Sequence, residues 1–112
     1  MMKRVAIPVV QGLLSSHFGH CQVFYVADIE DGKIVGEQEL VPPPHAPGVI
    51  PKWLGGEGIN VVLVGGIGQK AVDIFKQFNV EPIIGVPEKS PAELINDYMS
   101  GDLVAGINQC SH

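Results

Sequence analysis

The chain has 112 residues, of which 46% are hydrophobic, and this is enough apolar material for one compact domain with a core. Its formal net charge of -5, with seven lysines and arginines in all, argues against nucleic-acid binding, which requires a basic surface. No apolar run approaches about 18 residues, and the N-terminus lacks a signal-peptide pattern, so we expect a cytoplasmic protein without a membrane span.

The first part of the chain predicts three strands. Residues 4–10 are almost all apolar or β-branched, which is typical of a central strand buried on both faces. Residues 11–21 include Ser15, Ser16 and Gly19, which oppose regular structure, and they predict a long loop. Residues 23–29 and 33–41 flank Asp31-Gly32, a dipeptide that tolerates positive φ and therefore predicts a tight hairpin.

The middle of the chain predicts a stiff loop, two helices and a second buried strand. Residues 42–48 contain four prolines, which remove backbone donors and restrict the residues before them. Residues 49–54 predict a short helix that ends at two glycines. Residues 60–64 predict a buried strand that runs into the glycine-rich residues 65–68. The helix that follows has apolar side chains at helical spacing, namely Ala71, Ile74, Phe75 and Phe78.

The last part predicts one more strand, a capped helix and a tail. Residues 80–86 have the pattern of a strand. Ser90 precedes a proline and stands three residues before Glu93, which is the signature of a helix N-terminus with a capping box. Gly101 ends this helix, and residues 102–112 read as an extended C-terminal tail of the same domain, residues 1–112.

The predicted order is β-β-β-α-β-α-β-α, which indicates an α/β fold with a mixed sheet covered by helices on both faces. The hairpin makes the second strand antiparallel and the third strand parallel to the first, and right-handed crossovers make the fourth and fifth strands parallel to the first as well. Ligands bind open α/β sheets at the carboxyl ends of the parallel strands. We therefore expect the four loops at that edge to converge: residues 11–21, 42–51, 65–69 and 87–90.

The side chains with metal-binding chemistry are concentrated in two places. Both cysteines and three of the four histidines lie within residues 16–21 (SHFGHC) and 110–112 (CSH). Thiolates and imidazoles are ligands of soft and borderline metals. If the first segment forms a helical turn, His17, His20 and Cys21 share one side. If it is extended, His20 and Cys21 point in opposite directions.

The tail must reach the first segment if the two are to share a metal. In an extended tail, Cys110 and His112 face the same way, and nine residues span roughly 30 Å. The sequence therefore predicts a metal site from a set of six residues: His17, His20, Cys21, His45, Cys110 and His112. The alternatives are a disulfide or redox pair, unrelated surface residues on a free tail, and a turn-fixing role for His45.

Other short motifs give weaker indications. The glycine-rich residues 65–68 precede a helix, so their amides can receive an anion, but they lack the Walker lysine and the full dinucleotide spacing. Close packing of strand on helix is the alternative. Phe18 either anchors its loop in the core or stacks on a cofactor.

No nucleophile–base pair is evident in the sequence. Ile7-Pro8-Val9 stand where a nuclease of this topology would need carboxylates, so we expect no enzymatic activity.

A combination of these motifs resembles one known family. A first strand ending near Ile7-Pro8-Val9, the Ser-x-His-Phe-Gly motif at residues 15–19 followed by Phe24, and the spacing His45-x-x-Gly48 precede a strand that enters Gly-Gly-Ile-Gly. This resembles the dinitrogenase iron–molybdenum cofactor biosynthesis domain family (NifX/NifB C-terminal type) over about residues 3–106. The resemblance implies a ribonuclease-H-like three-layer α/β/α sandwich around a five-stranded mixed sheet. It also implies binding, carrying or storage of iron–sulfur and molybdenum–iron–sulfur clusters for delivery to a target enzyme.

The resemblance implicates His17 and His45 directly. Together with the motif neighbours, it gives a set of candidate cofactor-contacting residues: His17, Phe18, Gly19, His45, Gly66 and Gly68. Cys21 and the Cys-x-His ending depart from many members and favour a thiolate-ligated cluster. Our hypothesis is a non-enzymatic metallocluster carrier or scaffold whose partners are cluster donor or acceptor proteins. The alternatives are a zinc or other single-metal module and a metal-free protein-interaction domain.

Overall fold

The computed structural model describes residues 2–15, 18, 21–44 and 48–103. In that part of the chain, strands and helices follow the predicted order with one additional short strand. The elements are β1 (Met2–Val10), β2 (Leu13–Leu14), β3 (Val23–Glu30), β4 (Lys33–Leu40), α1 (Val49–Gly56), β5 (Val61–Leu63), α2 (Gln69–Gln77), β6 (Glu81–Ile83) and α3 (Pro91–Ser100). None of these three helices is long and apolar enough to cross a membrane.

The main strand order across the sheet is β4-β3-β1-β5-β6. β5 runs parallel to β1 and β6 runs parallel to β5, whereas β3 is antiparallel to both of its neighbours. These five strands confirm the predicted mixed sheet with one antiparallel strand. The sheet has six strands rather than five, because β2 turns back and pairs with the end of β1.

The additional strand starts inside the segment that the sequence predicts as loop. Gln11 and Gly12 both have positive φ, 52° and 81°, and form the tight turn between β1 and β2. This turn brings Leu13 and Leu14 opposite the last two residues of β1. A two-residue strand has too few positions to show an alternating pattern, so the sequence carries no periodic signal for it.

The β3–β4 hairpin forms where the sequence predicts it. Asp31 and Gly32 have φ of 52° and 76°, and the flanking Glu30 and Lys33 are paired. Positive φ at both central residues matches the right-handed twist of the two strands.

Two apolar clusters cover the two faces of the sheet and make three layers. Alternate residues of β1 point to opposite faces, so Ala6 joins the cluster beneath α1 and α2, which includes Phe75. Val5 and Ile7 join the cluster beneath α3, which includes Leu94. This is the α/β/α sandwich that the family resemblance implies.

The three helices begin differently. Ser90 caps α3, because its Oγ accepts a hydrogen bond from the backbone N–H of Glu93 at 3.3 Å, as the capping motif predicts. Gly101 ends α3 in the left-handed conformation. α1 and α2 begin after Gly48 and Gly68, and neither helix has a side-chain cap.

Candidate functional site at the carboxyl edge

The carboxyl edge of the sheet is the edge where the parallel strands β1, β5 and β6 end. β4 runs in the same direction as β1, so it ends at this edge as well. The described parts of all four predicted loops leave the sheet here, which confirms the convergence that the topology predicts. The described residues at this edge are 11–15, 18, 21–22, 41–44, 48, 64–68 and 84–90.

Backbone hydrogen bonds hold both ends of the segment after β1, residues 15–22, against the sheet. The N–H of Ser15 donates to Pro8 O at 2.8 Å, and the N–H of Gln22 donates to Val9 O at 2.9 Å. The N–H of Leu14 also donates to Lys89 O at 3.0 Å, which ties β2 to the loop after β6. Ser15 and Gln22 therefore both lie beside the end of β1.

Phe18 packs in the core between the two ends of this segment. Its side chain is 8% exposed, and its ring lies 5.7 Å from that of Phe24 and 5.5 Å from that of Phe75, both edge-on. Phe24 in turn contacts the ring of Trp53 at 5.7 Å. These four residues form an aromatic cluster that joins the segment after β1 to β3, α1 and α2. Phe18 thus has the anchoring role considered from the sequence.

Cys21 lies two residues before β3 and carries a free thiol. The side chain is half-buried and packs against the cluster beneath α1 and α2. Burial raises the pKa of the Cys21 thiol to about 11, and backbone hydrogen bonds at Cys21 and Val9 offset part of this increase. The thiol is therefore protonated at neutral pH, and a metal that binds it must displace the proton.

The glycine-rich residues 65–68 continue the pairing of β5 and β6 beyond the strands. The N–H of Gly85 donates to Gly65 O at 3.0 Å, and the N–H of Val86 donates to Val64 O at 3.0 Å. Gly66 is buried, which fits the close-packing interpretation, and Gly68 immediately precedes α2 with an ordinary φ of -76°. The first N–H groups of α2 thus lie at the carboxyl edge.

Most of the predicted ligands fall outside the described residues, namely His17, Gly19, His20, His45, Cys110 and His112. Among the residues that are described, no three His, Cys, Asp or Glu side chains are grouped closely enough to hold a metal ion. Of the predicted metal ligands, Cys21 is the one whose position the structure gives. The sequence interpretation did not identify Trp53 as a neighbour of this region, because its contact with Phe24 joins residues far apart in the chain.

α3 ends at the side of the domain opposite the carboxyl edge, where the last described residues, 101–103, follow it. The end of α3 lies beside a groove of about 630 Å³ lined by Lys3 of β1, Ile29 of β3 and Tyr98 of α3. The start of β1 and the end of β3 are at the amino edge, which is the edge opposite the carboxyl edge. The N–H of Asp102 donates to Asp97 O at 2.9 Å, and Leu103 packs against the cluster beneath α3. The predicted path of residues 104–112 lies outside the described residues.

Known proteins with a similar sequence or fold span nearly the whole chain. An uncharacterized protein of Methanocaldococcus jannaschii, MJ0580, is 29% identical over 107 residues, which cover 91% of this chain and 90% of that protein. The crystal structure of PH0822 has a TM-score of 0.85 at 28% identity, with 91% of this chain and 93% of that chain covered. The apo form of the orange protein of Desulfovibrio gigas has the same fold, with a TM-score of 0.76, 19% identity and 96% of both chains covered.

The family match agrees with the motifs and with the fold. Residues 1–101 match the family described as dinitrogenase iron–molybdenum cofactor. The match includes β1, the segment after it, the proline-rich loop and the glycine-rich residues 65–68. The chain therefore belongs to the dinitrogenase iron–molybdenum cofactor family.

Proposed function

We propose that this protein carries an iron–sulfur or molybdenum–iron–sulfur cluster at the carboxyl edge and delivers it to a partner protein, without catalysing a reaction of its own. Family membership supports an association with the iron–molybdenum cofactor. The structural observation that carries the proposal is the position of Cys21, a half-buried free thiol at the carboxyl edge. Thiolates are the usual protein ligands of iron–sulfur clusters.

The proposed ligands come from residues 17–45 and from the last three residues of the chain. Cys21 and Cys110 supply thiolates, and imidazoles serve as ligands or as hydrogen-bond donors to ligands; these are His17, His20, His45 and His112. Phe18 holds its segment against the core, and Gly19 is proposed to let the backbone approach the cargo. Thiolate-ligated clusters are commonly anionic, so the uncapped start of α2 after Gly68 favours their binding.

The protonated state of Cys21 suits a protein that must also release its cargo. Because burial raises the pKa of the thiol, a proton competes with the metal for the sulfur at neutral pH. This competition weakens binding relative to a site with an ionised thiolate. A carrier with such a site exchanges its cargo more readily than a closed structural site with four preformed ligands.

Anaerobic reconstitution with iron and sulfide tests the proposal. The wild-type protein should become coloured and retain iron together with acid-labile sulfide, whereas Cys21→Ser should retain neither. Met99→Leu, at the amino-edge groove, is the matched control and should load like the wild type. Cys110→Ser tests whether the tail contributes, and we expect it to lower the retained iron.

Two results would count against the cluster-carrier proposal. Wild-type protein that stays colourless and free of iron under anaerobic conditions contradicts it. Retention of zinc without sulfide, lost in Cys21→Ser, favours the single-metal module instead.

A further inference from the structure

The two outer strands of the described sheet differ in how far their free edges are protected. β6 has three residues with Pro82 at its centre, and proline has no N–H to offer to another strand. β4 has eight residues and contains no proline. Natural sheets usually protect their edges with short strands, prolines or charges. β6 follows this rule through its length and its proline. In the described sheet β4 is long and has no proline, and the devices it has are charged side chains, among them Glu37 and Glu39.

Most of β4 forms a regular ladder with β3. The pairing is continuous from Phe24 with Leu40 to Asp28 with Gly36, and the one irregularity lies between Asp28 and Ile29, near the hairpin turn. In an antiparallel pair, backbone groups alternate between pointing at the partner and pointing away from it. Residues 36–40 therefore present N–H and C=O groups outward, and in the described part of the chain no strand pairs with them.

The side chains along this edge are exposed and acidic. Glu37 and Glu39 are two residues apart, so they lie on the same face of the sheet. The hydroxyl of Tyr25 donates a hydrogen bond to Glu37 Oε2 at 2.6 Å, which holds that carboxylate in place. Residues 34–41 contain no lysine or arginine, and Val41 at the end of the edge is 76% exposed.

We propose that the outer edge of β4 binds an extended segment of a partner protein as an additional strand, and that this segment carries lysine or arginine at positions two residues apart. Main-chain hydrogen bonds supply the affinity in such strand addition, and alternate side chains supply the specificity. Basic side chains at this spacing face Glu37 and Glu39, and cross-strand pairs of opposite charge are stabilising.

A second copy of this chain fits the edge less well. If two β4 strands pair antiparallel about Gln38, Glu37 of each copy lies opposite Glu39 of the other. Like charges directly opposite each other destabilise a sheet. β4 ends at the carboxyl edge, so its outer edge also suits a partner that receives the cluster, an inference that rests on the proposed function.

The test uses the full-length, metal-free protein, so its outcome is independent of cluster binding. The ¹⁵N-labelled protein is titrated to millimolar concentration with the capped hexapeptide Thr-Lys-Val-Lys-Val-Thr, and amide shifts are followed by NMR. We expect shifts at residues 36–41 and none at Glu81 and Ile83 of β6. A control peptide of equal charge, Thr-Lys-Pro-Lys-Val-Thr, should cause none because its proline interrupts the ladder.

A charge exchange makes the test specific. The double variant Glu37→Lys, Glu39→Lys should bind the lysine peptide about tenfold more weakly and should gain binding of Thr-Glu-Val-Glu-Val-Thr. Glu81→Lys on β6, which is exposed, is the matched control and should leave both affinities unchanged. The absence of shifts at millimolar peptide, or shifts confined to another surface, would overturn the proposal. A concentration-dependent dimer that broadens the β4 amides without peptide would overturn it in favour of self-pairing.

Discussion

The amino edge and the carboxyl edge of the sheet differ in how their polar groups are used. At the amino edge, Arg4 Nε donates to Asp28 Oδ1 at 2.7 Å, and Arg4 Nη1 donates to Glu57 O at 2.8 Å. Asn60 exchanges two hydrogen bonds with the backbone of Arg4, at 2.7 and 2.8 Å. The carboxyl edge instead has a half-buried thiol and two helices that start without side-chain caps.

The proposed function assigns stability to the amino edge and ligand binding to the carboxyl edge, in line with this difference. Substitutions at the amino edge should then lower the free energy of unfolding without changing cluster uptake. Substitutions of the proposed metal-ligating side chains at the carboxyl edge should lower cluster uptake without lowering the free energy of unfolding.

Phe18→Ala should have the largest effect on the free energy of unfolding. It should also lower cluster uptake, so it is the exception to the separation of the two edges. It removes a buried ring from the aromatic cluster and should destabilise the protein by about 3–4 kcal/mol, measured by urea unfolding. Phe78→Ala is the matched control, because Phe78 is 39% exposed, and it should cost less than half as much. Equal costs for the two variants would show that Phe18 does not anchor its segment.

Asp28→Ala should destabilise the protein by about 1.5 kcal/mol, because it removes a charge-assisted hydrogen bond from partly buried Arg4. Cluster uptake in the reconstitution assay should be unchanged. Asp97→Ala is the control, since its 3.4 Å pair with Lys89 is more exposed and should contribute little. A loss of cluster uptake in Asp28→Ala, with the fold intact by circular dichroism, would contradict the separation of the two edges.

Ser90→Ala should destabilise the protein by about 1 kcal/mol, because it removes the N-cap of α3. Ser90 lies at the carboxyl edge, so this variant separates stability from ligand binding within that edge. We expect unchanged cluster uptake and a lower midpoint of urea unfolding. Ser100→Ala, in the last turn of the same helix, should shift the midpoint less.

The rate at which the Cys21 thiol is alkylated should increase with pH. In a Cys110→Ser variant, the rate of alkylation by iodoacetamide follows the thiolate fraction, which rises about tenfold for each pH unit below the pKa. Because burial raises the pKa to about 11, the rate should still be rising at pH 10. An ordinary thiol levels off above about pH 9, and such a plateau would contradict the burial of Cys21.

Local signals in the sequence account for the parts of the fold that could be predicted. Asp31-Gly32 predicts the hairpin because positive φ is required at both positions, and Ser90 with Glu93 predicts the start of α3. The continuous apolar run in residues 4–10 predicts the central strand. Each signal is contained within a few neighbouring residues, so no tertiary contact is needed to interpret it.

The remaining features depend on contacts between distant residues. The N–H of Leu14 in β2 donates to Lys89 O, which lies in the loop after β6. Arg4 of β1 forms an ion pair with Asp28 of β3 and donates a hydrogen bond to Glu57 O at the end of α1. The topology rules predict that the loops converge at the carboxyl edge. They do not predict how deeply Cys21 is buried, because its exposure depends on packing against residues of other elements.

Paramagnetic NMR of the reconstituted protein tests the central claim most directly. An iron–sulfur cluster held at the carboxyl edge should broaden the amide signals of Cys21, Gly66 and Val86 while those of Asp28, Gly58 and Tyr98 at the other side stay sharp. Broadening centred on the amino edge, or none in a protein that retains iron and sulfide, would contradict the account.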